Sequence, residues 1–363
     1  MHVAIVCRGM GGSGSVASVA LRQARELAKR MEVTLVSDSF PAETPFAARA
    51  LVSMPDLHVL RRFRHVPDEL FFARGVRRAL PSADFALCHS HAVAHLALRK
   101  ANMPFGLVVH GDITDRPTGT YDPRLTAFYR WVAPRGYRAA NVTIVLAPYF
   151  VELARKGGAR SVEVMPNGID LTDLGVATAA SAVEENRFLY VGRLSVEKGI
   201  HVLLDAWPQV TANASLTILG SGPIAIPSLP NIHLATPQPR NTLATVYANH
   251  TALIAPSLSE TFPLAILEAL ACGLPIIATN TGGIPSIVTH EHNGLLVPPN
   301  DSRALAAAID RLANDAELRQ RLASNARASV LPKYSWEAVG ARLAEIIGER
   351  AAPPAVTRAA GPR

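Results

Sequence analysis

Runs of valine, isoleucine and leucine recur along the chain and alternate with longer stretches whose apolar positions have helical spacing. The run at 2–7, followed by the amphipathic stretch 15–30, predicts a buried parallel strand and a helix that covers it. Twelve runs are predicted as strands, at residues 2–7, 32–37, 85–89, 105–110, 142–146, 161–166, 187–192, 215–220, 232–235, 252–256, 275–279 and 294–299. This alternation predicts an α/β protein with doubly wound sheets.

A polar, alanine-rich stretch at 171–186 divides the predicted strands into two sets. We therefore predict two Rossmann-like domains, residues 1–170 and 171–333, that face a central cleft. The remaining residues predict a helix at 334–350 and a disordered tail at 351–363, which is rich in proline, alanine and glycine. Ligands of such sheets bind beyond the carboxyl ends of the strands, so the cleft is the expected site.

The composition is that of a globular protein. The 363 residues are 49% hydrophobic, which is enough for two cores. No apolar stretch reaches the roughly 18 residues of a membrane span, and the run at 2–7 is too short for a signal peptide. The three cysteines, Cys7, Cys88 and Cys272, are scattered and agree with a reducing compartment. These features predict a cytoplasmic protein.

Positive charge is concentrated in the first half. Residues 1–170 hold 22 Lys and Arg against 14 Asp and Glu, with basic clusters at 61–65, 74–78 and 134–138. No aromatic platform or recognition helix accompanies these clusters, so a nucleic acid partner is not expected. An anionic membrane surface or an anionic acceptor would suit a one-sided basic half, and a solvated surface with excess arginine remains the alternative.

Two glutamates lie in or beside a short apolar helix. Residues 257–275 read SLSETFPLAILEALACGLP, in which Pro263 suits the first helical position and Gly273 the left-handed residue after the end. The helix is apolar on every side, so Glu268 is predicted to be buried, with Glu260 at the rim of a pocket. A buried carboxylate needs donors, and we expect a ligand to bring them. The alternative is a stray surface glutamate.

The loop RGMGGSGS at 8–15 joins the first predicted strand to the first helix. Gly9, Gly11 and Gly14 satisfy the pattern G-x-G-x-x-G, and Asp38 follows the second strand where a ribose-binding acid is expected. A dinucleotide-dependent oxidoreductase using NAD or FAD is therefore an alternative. The same glycines would equally let the backbone approach a phosphate or a sugar.

The segment YVGRLSVEKG at 190–199 reads as a strand that leads through a basic turn into a helix. Arg193 and Lys198 flank that turn, so a guanidinium fork and an ammonium can converge on a diphosphate. The alternative is an ordinary surface pair that involves Glu197.

The order of short motifs across 165–301 resembles the retaining glycosyltransferases of family 4, which have the GT-B fold. The motifs are MPNGID, GRLSVEKG, LGSGP, the pair Glu260 and Glu268 with the spacing E-x7-E, TGGIP and NGLLVPPND. The first half resembles the family more loosely, through its glycine loop and the tripeptide HGD at 110–112. The segment 334–350 resembles the helix that crosses back onto the first domain in this family.

The resemblance implies a role for each charged residue of these motifs. Arg193 and Lys198 would hold the diphosphate of a nucleotide-sugar donor, and Glu268 would bind the ribose hydroxyls. Glu260 would hold hydroxyls of the donor sugar, and His110 would lie by the sugar near the reacting centre.

Further contacts are implied around these residues. The donor site would also be lined by Thr261, Phe262, Pro263, Leu264, Gly11 and Gly12, although a proline has no backbone N–H to give. His91 and Asp112 are expected on the acceptor side, and a packed or solvent-facing side chain is the alternative for His91. The sequence departs from the family at Gly111, which separates His110 from the aspartate, and in the loop LATPQPR at 234–240, which lacks the glycine expected near the base.

The segment CHSHAVAH at 88–95 contains four residues of metal-binding type, Cys88, His89, His91 and His95. Their spacing fits no standard zinc pattern, so we expect neither a metal nor a cofactor.

The implied roles predict a retaining hexosyltransferase that moves a sugar from a UDP- or GDP-linked donor to an acceptor hydroxyl, in the biosynthesis of polysaccharide, glycolipid or another glycoconjugate. The acceptor would be a sugar, a lipid-linked sugar or a small molecule. No pattern suggests a nucleophile, which favours same-face attack over a covalent intermediate, and closure of the two domains is expected to assemble the site. A nucleotide-sugar epimerase on the same fold, the oxidoreductase and a non-catalytic binding module are the alternatives.

Overall fold

The apolar runs form two parallel sheets. The computed structural model describes residues 1–10, 15–40, 47–50, 65–101, 103–111, 123–175, 186–236, 238–331 and 333–351. The strands of the first sheet are β1 (His2–Val6), β2 (Glu32–Ser37), β3 (Ala47–Ala50), β4 (Phe85–Cys88), β5 (Phe105–Val109), β6 (Val142–Val145) and β7 (Val162–Val164). Those of the second are β8 (Arg187–Val191), β9 (Ser215–Leu219), β10 (Ile232–Ala235), β11 (Ala252–Ala255), β12 (Ile276–Thr279) and β13 (Gly294–Val297).

Helices separate most of the strands. They are α1 (Ser15–Ala28), α2 (His65–Ala79), α3 (His91–Leu96), α4 (Pro123–Ala139), α5 (Tyr149–Lys156), α6 (Ile200–Ala206), α7 (Leu243–Ala248), α8 (Leu264–Ala271), α9 (Ser302–Asn314), α10 (Ala316–Val330) and α11 (Trp336–Ala351). Among the described residues, no helix is both long and apolar enough to cross a bilayer.

All twelve predicted strands are present, and every predicted end lies within two residues of the observed one. The prediction missed β3, whose sequence AARA has no β-branched or aromatic residue. This short strand lies at the edge of the first sheet and pairs only with β2 in the described part of the chain. The α/β class and the two doubly wound sheets are confirmed, while the domain boundary after residue 170 stays a prediction.

The strand orders bring specific loops together. The first sheet has the order β3-β2-β1-β4-β5-β6-β7 and the second β10-β9-β8-β11-β12-β13. The order reverses between β1 and β4 and between β8 and β11, and loops at the carboxyl ends of such neighbours diverge to leave a crevice. His89 follows β4, Arg193 follows β8 and Glu260 follows β11, so the topology gathers these residues at two facing crevices.

The last helix, α11, crosses back and packs against α1 of the first half, as predicted. The two helices approach closely because Gly340 has no side chain, since a Cβ there would lie 2.3 Å from Cβ of Glu26. At the start of α11 the indole of Trp336 covers Gly168, and the backbone N–H of Trp336 donates to the carbonyl of Ile169 at 3.3 Å. The glycine of the MPNGID motif therefore makes room for this crossing.

Candidate active site

A cavity of about 540 Å³ opens at the carboxyl ends of β5, β8 and β11 and is lined by both halves of the chain. We call it the central cavity. Eight of the predicted site residues line it, namely His110, Arg193, Lys198, Glu260, Thr261, Phe262, Pro263 and Leu264. The structure therefore brings these eight residues together in one cavity, and their roles stay predictions.

Lys198 and Glu260 form an ion pair inside the central cavity. The lysine Nζ donates to Glu260 Oε2, and the other carboxylate oxygen accepts the N–H of Thr261 at 3.0 Å. The Glu260 side chain is almost fully buried, whereas Lys198 remains partly exposed. Contacts within the protein thus hold both charges in place.

The glycines of the TGGIP motif support the backbone of Glu260. The N–H of Gly283 donates to the Glu260 carbonyl at 3.0 Å. Gly282 has φ +53°, and a Cβ there would lie 1.9 Å from the same carbonyl oxygen. A side chain at Gly282 would therefore displace the backbone of Glu260.

Arg193 has a looser position than the lysine. Its guanidinium lies 3.3 Å from the buried carboxylate of Glu197, four residues further along the turn, and the arginine side chain is 59% exposed. The surface pair with Glu197 that was the alternative is present, yet Arg193 also lines the central cavity. The Tyr190 hydroxyl donates to the Arg193 carbonyl at 2.7 Å, which fixes the backbone while the guanidinium can move.

Helix α8 ends as predicted but begins one residue later. Pro263 has φ −78° and ψ 102° and caps the helix, so the expectation that it occupies the first helical position is wrong. Proline disfavours the α conformation of the residue before it and has no N–H that needs an acceptor, and both properties also suit a capping position. Gly273 has φ +84°, the left-handed conformation predicted for the residue after the end. Leu264, Ala265 and Ile266 of the first turn line the central cavity. The N–H groups at the start of a helix have no partner within the helix.

Glu268 is buried, as predicted, with 5% of its surface exposed. Its donors come from the protein, so the expectation that a ligand must supply them is wrong. The Tyr247 hydroxyl donates to Glu268 Oε2 at 3.0 Å, and Arg240 Nη2 lies 2.7 Å from Oε1. Burial, and then the adjacent carboxylate, raises the pKa of Tyr247 well above its ordinary value, so this hydroxyl keeps its proton.

Glu268 and Arg240 line a second cavity of about 470 Å³, which we call the side cavity. It shares Val19 and Leu264 with the central cavity, and α1 contributes Arg22 to its wall. The two predicted carboxylates therefore line neighbouring cavities and not one pocket.

His110 contacts a second histidine that the sequence analysis considered only as a metal ligand. His110 Nε2 and His89 Nδ1 are 2.7 Å apart. Burial lowers the pKa of His110 to about 4, and burial together with His110 lowers the pKa of His89 well below its ordinary value. Both rings are therefore neutral at pH 7.

The remaining predicted residues fall outside the two cavities or outside the described residues. His91, expected on the acceptor side, is instead buried against the ring of Tyr137, with 4.7 Å between ring centroids. It begins α3, and that position turns its side chain toward α4. Gly11, Gly12 and Asp112 lie outside the described residues. Within the described residues, no three His, Cys, Asp or Glu side chains group as metal ligands do.

Asp38, the acid of the dinucleotide alternative, closes a turn. Its Oδ1 accepts the N–H of Gly9 at 2.7 Å, and Arg8 Nε donates to its Oδ2 at 3.3 Å. The carboxylate is therefore engaged by the first glycine of the loop, which weakens the view that it is held ready for a ribose.

Sequence reasoning missed four residues of the site. Arg240 lies in the loop that was noted only for its missing glycine, and Tyr247 carried no signal. Asn167, from the MPNGID motif, lines the central cavity, and its side-chain oxygen is buried without a partner in the described part of the chain. His89, the fourth, was visible as a residue, but its contact with His110 depends on β4 and β5 being neighbours.

Two family profiles match the chain. The profile described as Glycosyltransferase Family 4 matches residues 14–173, and the one described as Glycosyl transferases group 1 matches residues 177–329. The matches meet near the predicted division of the chain and together cover both halves.

Curated relatives agree with these profiles. An uncharacterized glycosyltransferase of Methanocaldococcus jannaschii is 30% identical over 281 residues, covering 70% of this chain and 72% of the relative. The glycogen synthase of Mycobacterium tuberculosis is 28% identical over 298 residues, covering 75% of this chain and 71% of the synthase.

Solved structures share the fold. Sucrose-phosphate synthase from Thermosynechococcus elongatus superposes with a TM-score of 0.77 at 20% identity, covering 96% of this chain and 98% of the synthase. HepE of Anabaena, solved in complex with UDP-glucose, superposes with a TM-score of 0.76 at 18% identity, covering 96% and 100%. With both halves matched by glycosyltransferase profiles and both sheets in the GT-B arrangement, the chain belongs to the family 4 glycosyltransferases.

Proposed function

We propose that this enzyme is a retaining glycosyltransferase that moves a sugar from a UDP- or GDP-linked donor to an acceptor hydroxyl. The observation that carries the proposal is the Lys198–Glu260 ion pair in the central cavity, with Arg193 and the start of α8 beside it. Cations for phosphates and a carboxylate for sugar hydroxyls thus meet in one cavity. HepE shares the fold and was solved with UDP-glucose, which supports a donor of this class.

The diphosphate would lie against Arg193, Lys198 and the free N–H groups of the α8 first turn. Negative charge accumulates on the diphosphate as the glycosidic bond breaks, and fixed cations stabilise that charge in the transition state. The half-exposed guanidinium of Arg193 can leave Glu197 and bind phosphate oxygens as a planar fork. Because these protein cations supply the positive charge, the proposal includes no metal ion and no cofactor.

The donor sugar and the ribose would bind to different carboxylates. Glu260 lies with the phosphate-binding cations in the central cavity, so it would accept hydrogen bonds from the sugar hydroxyls. Glu268 lies in the side cavity, where the ribose hydroxyls would replace Arg240 as donors while Tyr247 stays bonded. The diphosphate would then bridge the space between the two carboxylates.

Retention is proposed to proceed by attack from the face that the leaving group vacates. The acceptor oxygen bonds to the anomeric carbon as the bond from that carbon to the phosphate oxygen breaks, and the acceptor proton passes to that phosphate oxygen. Glu260 and Glu197 are both paired with cations, which makes them weak candidates for a nucleophile. A glycosyl adduct trapped on either carboxylate would contradict this mechanism.

An acceptor at an anionic membrane surface fits the first half. Helix α2 exposes Leu70 and Phe71 together with Arg74, Arg77 and Arg78. Apolar side chains flanked by arginines favour a surface of anionic lipid over bulk water. Residues 61–64 of the neighbouring basic cluster at 61–65 lie outside the described residues, so a role for that cluster stays a sequence-based prediction.

A melting experiment tests the donor. The intact protein, Glu268→Ala and the control Glu317→Ala, which changes an exposed residue outside both cavities, are heated with UDP-, GDP-, ADP- and dTDP-sugars and with NAD and FAD. A ligand at a hundredfold its Kd adds about 2.7 kcal/mol to the stability of the folded state, which raises Tm by a few degrees. We expect one nucleotide sugar to stabilise the intact protein and the control but not Glu268→Ala.

Other outcomes have distinct meanings. Stabilisation by NAD or FAD alone would contradict the proposal and favour the alternative that the protein is an oxidoreductase. Interconversion of the donor without an acceptor would identify an epimerase instead. With an acceptor present, the anomeric configuration of the product, read by NMR, decides between retention and inversion.

A further inference from the structure

His89 and His110 meet at the ends of two paired strands. His89 follows β4, where its N–H donates to the Val6 carbonyl at 3.0 Å, and His110 follows β5. The ring planes differ by 20° and the centroids are 5.0 Å apart, while the nearest nitrogens are 2.7 Å apart. These values fit two nearly coplanar rings that meet nitrogen to nitrogen, since stacked faces would bring the centroids closer. The contact is therefore an in-line hydrogen bond.

One proton lies between the two rings, and its owner determines the tautomer of both. If His110 Nε2 donates, neutral His89 must carry its own proton on Nε2. If His89 Nδ1 donates, neutral His110 must carry its proton on Nδ1. The two arrangements present opposite chemistry at His110 Nδ1, namely a bare acceptor in the first and a donor in the second.

The surroundings of His89 distinguish these arrangements. Its Nε2 is buried and has no hydrogen-bond partner in the described part of the chain. Orphaned N–H groups are rarer in protein interiors than under-satisfied acceptors. The arrangement that leaves Nε2 without a proton is therefore favoured, and in it His89 donates to His110.

We infer that His89 is a positioning residue that holds His110 in the tautomer protonated on Nδ1, so that His110 offers a neutral N–H donor to the central cavity. Its Nε2 is taken by His89, which leaves Nδ1 as the ring nitrogen that can meet a ligand.

The chemical consequence rests on the proposed function. An N–H donor can bind an oxygen of the leaving phosphate or the lone pair of a sugar oxygen. A bare nitrogen could only accept the proton of a sugar hydroxyl and could not bind the phosphate. A neutral ring also adds no positive charge next to a sugar carbon that becomes positive in the transition state. Burial of both rings keeps them neutral at pH 7.

The tautomer can be measured without any substrate. The full chain is labelled with ¹⁵N-histidine, and long-range ¹H–¹⁵N NMR spectra at pH 7 are assigned with the variants His110→Gln and His89→Asn. We expect His110 to show a protonated Nδ1 and an unprotonated Nε2. The opposite pattern at His110 would overturn the inference whether or not the protein transfers sugars.

Two substitutions separate positioning from packing. Asparagine at residue 89 places an amide N–H near the position of Nδ1, and phenylalanine keeps the ring volume without the hydrogen bond. We expect His89→Asn to keep the His110 tautomer and most of kcat. His89→Phe should lose the single tautomer and lower kcat about tenfold or more with little change in KM, as when an outer partner of a functional histidine is removed.

The results that contradict the inference are equally specific. A His89→Phe variant that keeps both the tautomer and kcat, or a His89→Asn variant that loses both while melting like the intact protein, would show that His89 does not set the state of His110. If no nucleotide sugar is turned over by any of the proteins, the proposed function fails, and the NMR spectra still decide the tautomer.

Discussion

Arg240 Nη2 lies 2.7 Å from Glu268 Oε1, so the carboxylate expected to bind a ribose is already paired with a protein cation. The arginine is 54% exposed and follows β10, whereas Tyr247, on the other carboxylate oxygen, is fully buried. An exposed cation is easily displaced by a ligand, but a buried hydroxyl is not. The tyrosine therefore holds Glu268 in position whether or not a nucleotide is bound.

Tyr247→Phe should destabilise the protein by about 1.5–3 kcal/mol, because it removes a buried donor from a charged group. The control is Tyr334→Phe, which removes a buried hydroxyl bonded at 2.9 Å to the neutral carbonyl of Ser286 and should cost about 0.5–1.5 kcal/mol. Urea unfolding of both variants measures the difference. Equal losses would show that the Glu268 contact is an ordinary hydrogen bond.

Glu268 also shows how far the sequence can predict the site. Its burial could be predicted because the residues next to it in the sequence form a helix with no solvated face. Its partners could not be predicted in this way, because Arg240 and Tyr247 contact it only after β10, α7 and α8 have packed. His89 and His110 were likewise visible as residues, but their hydrogen bond depends on the register of β4 and β5. Local pattern thus predicts which groups are buried, and tertiary packing determines what satisfies them.

The short strand β3 and the cap at Pro263 mark the limits of local pattern in the fold. The sequence AARA has no strand propensity, and its pairing with β2 comes from the sheet edge that it meets. Pro263 is compatible with both the cap and the first helical turn, so its sequence position alone could not distinguish them.

Arg193→Ala and Lys198→Ala should each lower kcat by about 10²–10³-fold, since each removes one fixed cation from the leaving diphosphate. Arg303→Ala, which removes an exposed arginine on α9 outside both cavities, is the matched control and should leave kcat unchanged. Steady-state kinetics with the donor found in the melting experiment give the values. A loss confined to KM would mean that these cations bind the ground state and the transition state equally.

Gly282→Ala should lower activity by displacing Glu260, whose carbonyl oxygen would lie 1.9 Å from the added Cβ. Gly273→Ala is a close control, because Gly273 also has a positive φ but has open space at the Cβ position. Both variants should lose about 1–2 kcal/mol of stability from the left-handed conformation. Only Gly282→Ala should also lose turnover, measured at a temperature where both proteins are folded. Equal activities would contradict the supporting role of Gly282.

Acid should destabilise the protein through His89 and His110. Burial lowers the pKa of His110 from 6.5 to about 4 and lowers that of His89 in the same direction, so the unfolded chain binds their protons first. Their contribution to stability is full above pH 6.5 and is lost as the pH falls toward 4, by at most about 1.4 kcal/mol per pH unit for each ring.

Urea unfolding at pH 7, 6 and 5 measures this effect against the variant His89→Asn/His110→Gln, which lacks both titrating groups. His95 and His250, whose pKa values are also lowered by burial, remain in both proteins and cancel from the difference. We expect the intact protein to lose more stability than the variant between pH 7 and 5. If the free energy of unfolding changed equally with pH in both proteins, the two rings would be protonated already at pH 7 or would remain accessible to solvent.

The exposed face of α2 should bind anionic lipid. Replacing Arg74, Arg77 and Arg78 with glutamine should lower binding to vesicles of mixed phosphatidylglycerol and phosphatidylcholine on the order of a hundredfold, from about 1 kcal/mol for each arginine near the surface. The control replaces Arg303, Arg321 and Arg327, which are exposed in the second half and remove the same charge. Sedimentation with the vesicles should show weaker binding for the α2 variant only, because lipid bound by the α2 surface does not contact the arginines of the second half. An equal loss of binding in both variants would mean that the vesicles attract the net charge of the protein and no particular surface. No loss in either variant would exclude α2 as the lipid-binding face.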